Sequence, residues 1–159
     1  MLRDRLQQHI SDVADYLAQW GEYGDDNPIV AFDVVNEVVN DGASPSTGGL
    51  RDSRWYQVLG DEYIADAFAY ADAAFNHGDH TAAGAERPVA LFINDYNTEQ
   101  SGKRARYLAL IDSLLADGVP LDGIGHQFHL NLSTPVSALE DALTDASGRG
   151  LVQAVTEFD

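Results

Sequence analysis

Ile29-Val-Ala-Phe-Asp-Val-Val-Asn-Glu37 is a nearly continuous apolar run ending in an amide and an acid, and Leu151-Val-Gln-Ala-Val-Thr-Glu-Phe-Asp159 follows the same plan at the far end of the chain. Apolar runs of this length bounded by turn residues predict strands buried on both faces, as in parallel sheets covered by helices. Asp33 interrupts the first run, and an acid in such a strand needs a partner. Two shorter runs lie between: Val89-Ala-Leu-Phe-Ile93, leading into Asn94-Asp-Tyr-Asn97, and Ile124-Gly-His-Gln-Phe-His129, in which the polar residues stand out.

Helical periodicity fills the gaps. Leu2, Leu6, Ile10, Val13, Leu17 and Trp20 recur at steps of three and four, a single helix face that the 21–28 stretch ends. Ile64, Phe68, Ala71 and Phe75 mark a second face after a polar loop at 40–49, and Tyr107, Leu108, Ile111, Leu114 and Leu115 mark a third within a helix from about Ser101 to Asp117. Thr134-Pro135 reads as an N-cap followed by proline in the first turn of a helix carrying Val136, Leu139 and Leu143 and ending near Gly148. The order α-β-α-β-α-β-α-β predicts an α/β fold of about four parallel strands joined by right-handed helical crossovers. Four strands cannot close a (β/α)₈ barrel, which takes roughly 250 residues. The expectation is therefore a small open sheet or part of a (β/α)₈ TIM barrel, with residues 1–159 as one domain.

The chain of 159 residues is 45% hydrophobic, enough for one core. Its charge of −17, from 26 acidic against 9 basic residues, argues against nucleic acid or an anionic membrane surface as partner and leaves a neutral substrate unopposed. There is no cysteine, hence neither a disulfide nor a thiolate metal site. No apolar stretch approaches the roughly 18 residues of a membrane helix. The N-terminus lacks the apolar run of a secretory signal, so a signal, if the protein is exported, lies outside these residues.

Glu37 and Glu157 each stand at a strand's C-terminal end, the side on which β/α folds place chemistry. Glycosidic cleavage needs two such carboxyls, roughly 5–5.5 Å apart for retention and farther apart for inversion. A carboxyl at Glu37 in a partly dry cleft can keep the proton it must hand to a leaving oxygen. Asp159 lies two residues past Glu157, on the same side of an extended chain. Gln127 and His129 likewise share a strand face, and a neutral His129 donating to Glu157 would hold it ionised and oriented as a nucleophile. Taken separately, His126 and His129 are more often satisfied strand histidines than catalytic ones, and together with both glutamates they shift the balance.

Asp33-Val-Val-Asn-Glu37, Arg51-Asp-Ser with Trp55-Tyr-Gln-Val-Leu-Gly60, Ile93-Asn-Asp-Tyr-Asn97, Val119-Pro-Leu-Asp-Gly-Ile-Gly125, Gln127-Phe-His129 and Thr156-Glu-Phe-Asp159 together resemble glycoside hydrolase family 10, the endo-β-1,4-xylanases. The motifs occur in the family's order and cover nearly the whole chain. The resemblance implies a retaining double displacement in a TIM barrel, with Glu37 as acid/base after strand four and Glu157 as nucleophile after strand seven. It implies that His129 and Asp159 orient the nucleophile, that Asn36 binds the sugar 2-hydroxyl, and that Gln127 and Tyr96 line the cleft; Asn94 and Asn97 are site candidates that could also only brace the loop. Xylan or a xylo-oligosaccharide is the implied partner and secretion the implied location, and the chemistry needs no metal or organic cofactor.

The same resemblance starts near the third barrel helix and stops at strand seven. Strands one to three and eight, with their glycone-binding residues, are then expected from a complementary barrel fragment or from self-association. Two alternatives stand beside the xylanase reading: a glucan- or mannan-cleaving enzyme of the same barrel clan, and a catalytically silent carbohydrate-binding or assembly module. Trp20 and Trp55 are expected to pack, Lys103, Arg104 and Arg106 to form a salt-bridged surface patch, and His77-Gly-Asp-His80 to be solvated loop rather than a metal site. Gly123 and Gly125 open no helix and make no dinucleotide fingerprint.

Overall fold

A computed structural model describes residues 1–159. Helix α1 (Leu2–Leu17) precedes strand β1 (Ala31–Asn36). Helices α2 (Arg54–Leu59) and α3 (Glu62–Phe75) then lead to β2 (Ala90–Asp95), α4 (Ser101–Ala116), β3 (Gly123–His126), α5 (Val136–Ala146) and β4 (Val152–Val155). The four strands form one parallel sheet in the order β1-β2-β3-β4, so each crossover carries the chain to the adjacent strand. No helix is long and apolar enough to cross a membrane.

The core lies between the sheet and helices α1, α3 and α4. Leu6, Ile10 and Ala14 of α1 meet Ile64, Phe68, Ala71 and Phe75 of α3, while Tyr107 and Ile111 of α4 cover Leu91, Ile93 and Ile124. Phe75 is the pivot, with its ring centroid 4.7 Å from Phe32 of β1 and 5.3 Å from Tyr23. The Tyr107 hydroxyl stands 2.8 Å from the Ile93 carbonyl and 3.0 Å from that of Gly125, which ties α4 to two strands.

Several expectations need correction. β1 is not buried on both faces: it is an edge strand without a neighbour on one side, Val30 just before it is 69% exposed, and only Val35 within it is buried. The buried face of α5 is Ala142 and Ala146, with Val136 exposed at 76%. Thr134 does not cap that helix; its hydroxyl accepts from the Asn131 N–H instead. Trp20 and Trp55 are half-exposed, Trp20 standing edge-on to Tyr16 at 5.8 Å. Nor are Lys103 and Arg104 a surface patch. Both are buried, Lys103 between Asp95 (2.9 Å) and Asp41 (3.2 Å), and Arg104 on Asp145 at 2.7 Å across to α5. In the 77–80 loop His77 faces Asp72 and His80 faces Asp15.

Two backbone features aim the strand ends. Asp33 pairs with Phe92 but Asn36 pairs with Asn94, so three steps along β1 match two along β2, with the irregularity between Asp33 and Val35. Strict alternation would put Asp33 and Asn36 on opposite faces, and the bulge brings both to one face. On β3 the neighbours of Phe92 and Asn94 are Gly123 and Gly125. A Cβ on Gly123 would lie 2.3 Å from the Phe92 ring, and one on Gly125 2.3 Å from Asn94 Oδ1. Both glycines are therefore space for a neighbouring strand's side chain.

Candidate active site

The C-terminal ends of all four strands contribute to one hydrogen-bonded cluster. Glu37 follows β1 with φ of 56°, a left-handed conformation that a non-glycine residue adopts only when its surroundings hold it there. Its N–H donates to the Asn94 carbonyl at 2.8 Å, continuing the β1–β2 ladder past the strand. Its carboxylate Oε2 accepts from Arg51 Nη1 at 2.8 Å, and Oε1 lies 3.5 Å from Gln127 Nε2.

Asn36 Oδ1 accepts from both Asn94 Nδ2 and Gln127 Nε2, each at 3.1 Å. Both acceptor directions of that amide oxygen are then filled, and the pairing orients its NH₂ as a free donor. Asn94 also donates to Glu157 Oε1 at 2.9 Å and accepts from the Thr156 hydroxyl at 2.8 Å. Three amides thus connect the two glutamates, and the room for Asn94 comes from Gly125.

On the far side His129 Nε2 stands 3.2 Å from Glu157 Oε2 and Nδ1 stands 2.8 Å from Asp159 Oδ1. A ring that faces carboxylates with both nitrogens donates to both only as imidazolium, so the second carboxylate favours the proton. Asp159 foremost, with Glu157 adding to it, pulls the imidazole above its ordinary range. The neutral ring expected from sequence had one carboxylate to serve; the second, Asp159, shifts the balance toward the charged form. Asp33, on the same face, is pushed up by desolvation and by the nearby Glu157 charge.

Gln127 and His129 reach the cluster by another route than strand alternation. β3 ends at His126, and Phe128 takes a φ of 53°. His126 turns away into the core, where it stacks on Phe128 at 5.2 Å and touches neither glutamate. Its Nε2–H donates to Gln153 Oε1 at 3.3 Å, and Nδ1 accepts from the Thr98 hydroxyl at 2.8 Å. Burial pushes this imidazole down to about 4, so it is neutral.

Tyr96 sits on the Glu37 side, its hydroxyl donating to Asp41 Oδ2 at 2.8 Å and accepting from Arg51 Nη2 at 3.0 Å. The Asn97 side chain bonds only to Asp41, at 3.4 Å, and is apart from the Glu157 cluster. A groove of about 430 Å³ between α1 and the free edge of β1 is lined by Asn36, Glu37, Arg51 and Trp55 but not by Glu157. It adjoins the glutamate pair without being the space between them.

Arg51, Asp41, Lys103, Asp95 and Thr156 escaped the sequence reading as site components. Lys103 carried a signal: it is the chain's one lysine beside eight arginines. Its three donors meet three acceptors, the Val39 carbonyl at 2.7 Å, Asp95 Oδ1 at 2.9 Å and Asp41 Oδ1 at 3.2 Å, a tripod that a planar guanidinium does not reproduce.

A parallel β/α sheet presenting two glutamates at strand C-termini, joined by amides, is the constellation of a carboxylate-pair glycosidase. Residues 1–159 match glycosyl hydrolase family 10, and the chain belongs to that family. It is 37% identical over 160 residues to endo-1,4-beta-xylanase A of Thermoanaerobacterium saccharolyticum, covering 100% of this chain and 12% of the relative. With endo-1,4-beta-xylanase A of Halalkalibacterium halodurans it shares 39% identity over 162 residues, covering 100% of this chain and 35% of that one. The fold superposes on a crystal structure of an intracellular xylanase mutant from T. saccharolyticum in complex with xylotriose, with a TM-score of 0.82 and 36% identity over 98% of this chain and 43% of the other. The chain therefore spans less than half the length of these relatives, and its sheet corresponds to part of the family's barrel.

Proposed function

We propose that residues 1–159 are a single, incomplete catalytic domain of an endo-1,4-β-xylanase that cleaves internal β-1,4 bonds between xylose units with retention of configuration. The observation that carries this is the amide bridge Glu37–Gln127–Asn36–Asn94–Glu157, which brings both carboxylates to one strand-end cluster. Family membership and the xylotriose held by a solved relative support xylo-oligosaccharide as the ligand.

In the first step a Glu157 oxygen attacks the anomeric carbon while the glycosidic C–O bond breaks and the departing oxygen takes a proton from Glu37. In the second, Glu37 takes a proton from water, the resulting nucleophile attacks the same carbon, and the bond to Glu157 breaks. His129, held by Asp159, and Asn94, held by Thr156, fix the two oxygens of Glu157. Asn36 offers its NH₂ to the sugar 2-hydroxyl, Gln127 and Tyr96 border the cleft, and Asn97 braces Asp41.

Glu157→Ala tests the assignment. Hydrolysis of an activated aryl β-xylobioside should fall by about 10⁴-fold or more. Azide or formate should then restore turnover, azide giving a product of inverted configuration. A variant that stays inactive with either anion, beside an active parent, contradicts the role given to Glu157.

A further inference from the structure

The two oxygens of Glu37 are not equivalent. Oε2 is taken by Arg51 at 2.8 Å, whereas Oε1 has only the 3.5 Å approach of Gln127. An isolated, partly exposed ion pair contributes little by itself. Arg51, however, is held at three points. Its N–H donates to the Val38 carbonyl at 2.8 Å, beside Glu37, and its second nitrogen Nη2 donates to the Tyr96 hydroxyl at 3.0 Å. Tyr96 is fixed in turn by Asp41 at 2.8 Å and by the buried Lys103 ammonium 4.2 Å from its ring centroid. A planar fork bonded through both terminal nitrogens keeps one orientation.

We infer that Arg51, braced by Tyr96, is a positioning residue for the acid/base: by occupying Oε2 of Glu37 it presents Oε1 as the oxygen that gives and takes the proton. This rests on the reading of Glu37 proposed above. The guanidinium touches no reacting atom; it sets which carboxylate oxygen faces the glycosidic oxygen.

The test compares two aryl β-xylobiosides, one releasing phenol, which departs only with a proton, and one releasing dinitrophenol, which departs without one. Because kcat/KM reports the first step, Arg51→Met should lower it roughly tenfold or more on the phenyl substrate, with a far smaller loss on the other. Arg51→Lys, which keeps a cation but not the fork, should restore part of the phenyl rate. Equal losses on both substrates, or none, would overturn the inference. Glu37→Ala separates the two levels: if it shows no leaving-group dependence, the acid/base reading fails and the inference with it, whereas dependence in Glu37→Ala but not in Arg51→Met defeats the inference alone. A crystal structure of Arg51→Met tests the geometry without turnover. The Glu37 carboxylate should rotate away from its present position, and an unmoved carboxylate would overturn the proposal.

Discussion

His126 and His129, three residues apart, show how little a residue type says without its surroundings. One ring is buried and neutral; the other is exposed and faces two carboxylates. For His129, a folded-state value above the ordinary 6.5 means that its pairing is fully present below the unfolded value and is lost as pH rises through the folded one. Asp159→Asn removes the largest cause, so the imidazole midpoint followed by NMR should drop toward 6.5; an unchanged midpoint would contradict the pairing. For His126 the sign is opposite. Between pH 6.5 and about 4 the unfolded chain binds a proton that the folded chain refuses, so stability falls as the solution is acidified through that window. The loss is on the order of 3 kcal/mol, and His126→Gln should flatten the corresponding slope in urea midpoints against pH. Sequence named both glutamates and His129 because strand-end acids and polar residues in apolar runs are visible in one dimension. The second carboxylate that raises His129 was visible too, as Asp159, but what sets the shift is which nitrogen meets which oxygen.

At the level of strands and helices, the site depends on a bulge, two glycines and one buried ion pair. Gly125→Ala would press a methyl into Asn94, and the resulting shift should cost about 1–3 kcal/mol and loosen Glu157, read as a lower thermal midpoint together with a lower kcat. Lys103→Met leaves the fully buried Asp95 without its cation, and urea unfolding should show a loss of about 3–5 kcal/mol. Burial already pushes the Asp95 carboxyl up against the pull of Lys103, which is why removing the ammonium matters. The element order, the parallel pairing and the buried face of α3 were readable from periodicity, since each is set by local spacing. The bulge in β1 was not, because Val34-Val35 looks the same in a regular strand. Lys103 looked like surface for a related reason: two of its three acceptors, Val39 and Asp41, come from the loop after β1, far along the chain.

For the whole molecule the governing facts are the charge of −17 and a sheet with two free edges. Self-repulsion among 26 acidic groups opposes compaction, and salt screens it. Raising sodium chloride from about 0.05 to about 0.5 M should increase Tm by about 2–4 °C. A flat or falling Tm would show that the acidic surface carries no net strain. At the edges, β1 lacks a neighbour beside the groove at α1, and β4 exposes Val152 at 60% and Val155 at 48%. Sequence showed these residues as apolar strand positions and could not show their exposure, which follows from where the sheet stops.

The proposed chemistry turns on Glu157 forming the bond to sugar while Glu37 handles the proton. A 2-deoxy-2-fluoro-β-xylobioside with a dinitrophenyl leaving group traps such a bond, because fluorine slows both steps and the leaving group rescues only the first. Mass mapping of the labelled protein should place one fluoroxylobiosyl group on Glu157. A label on any other residue, or dinitrophenol released in repeated turnovers by the undeoxygenated xyloside without a trapped adduct from its fluoro analogue, would contradict it.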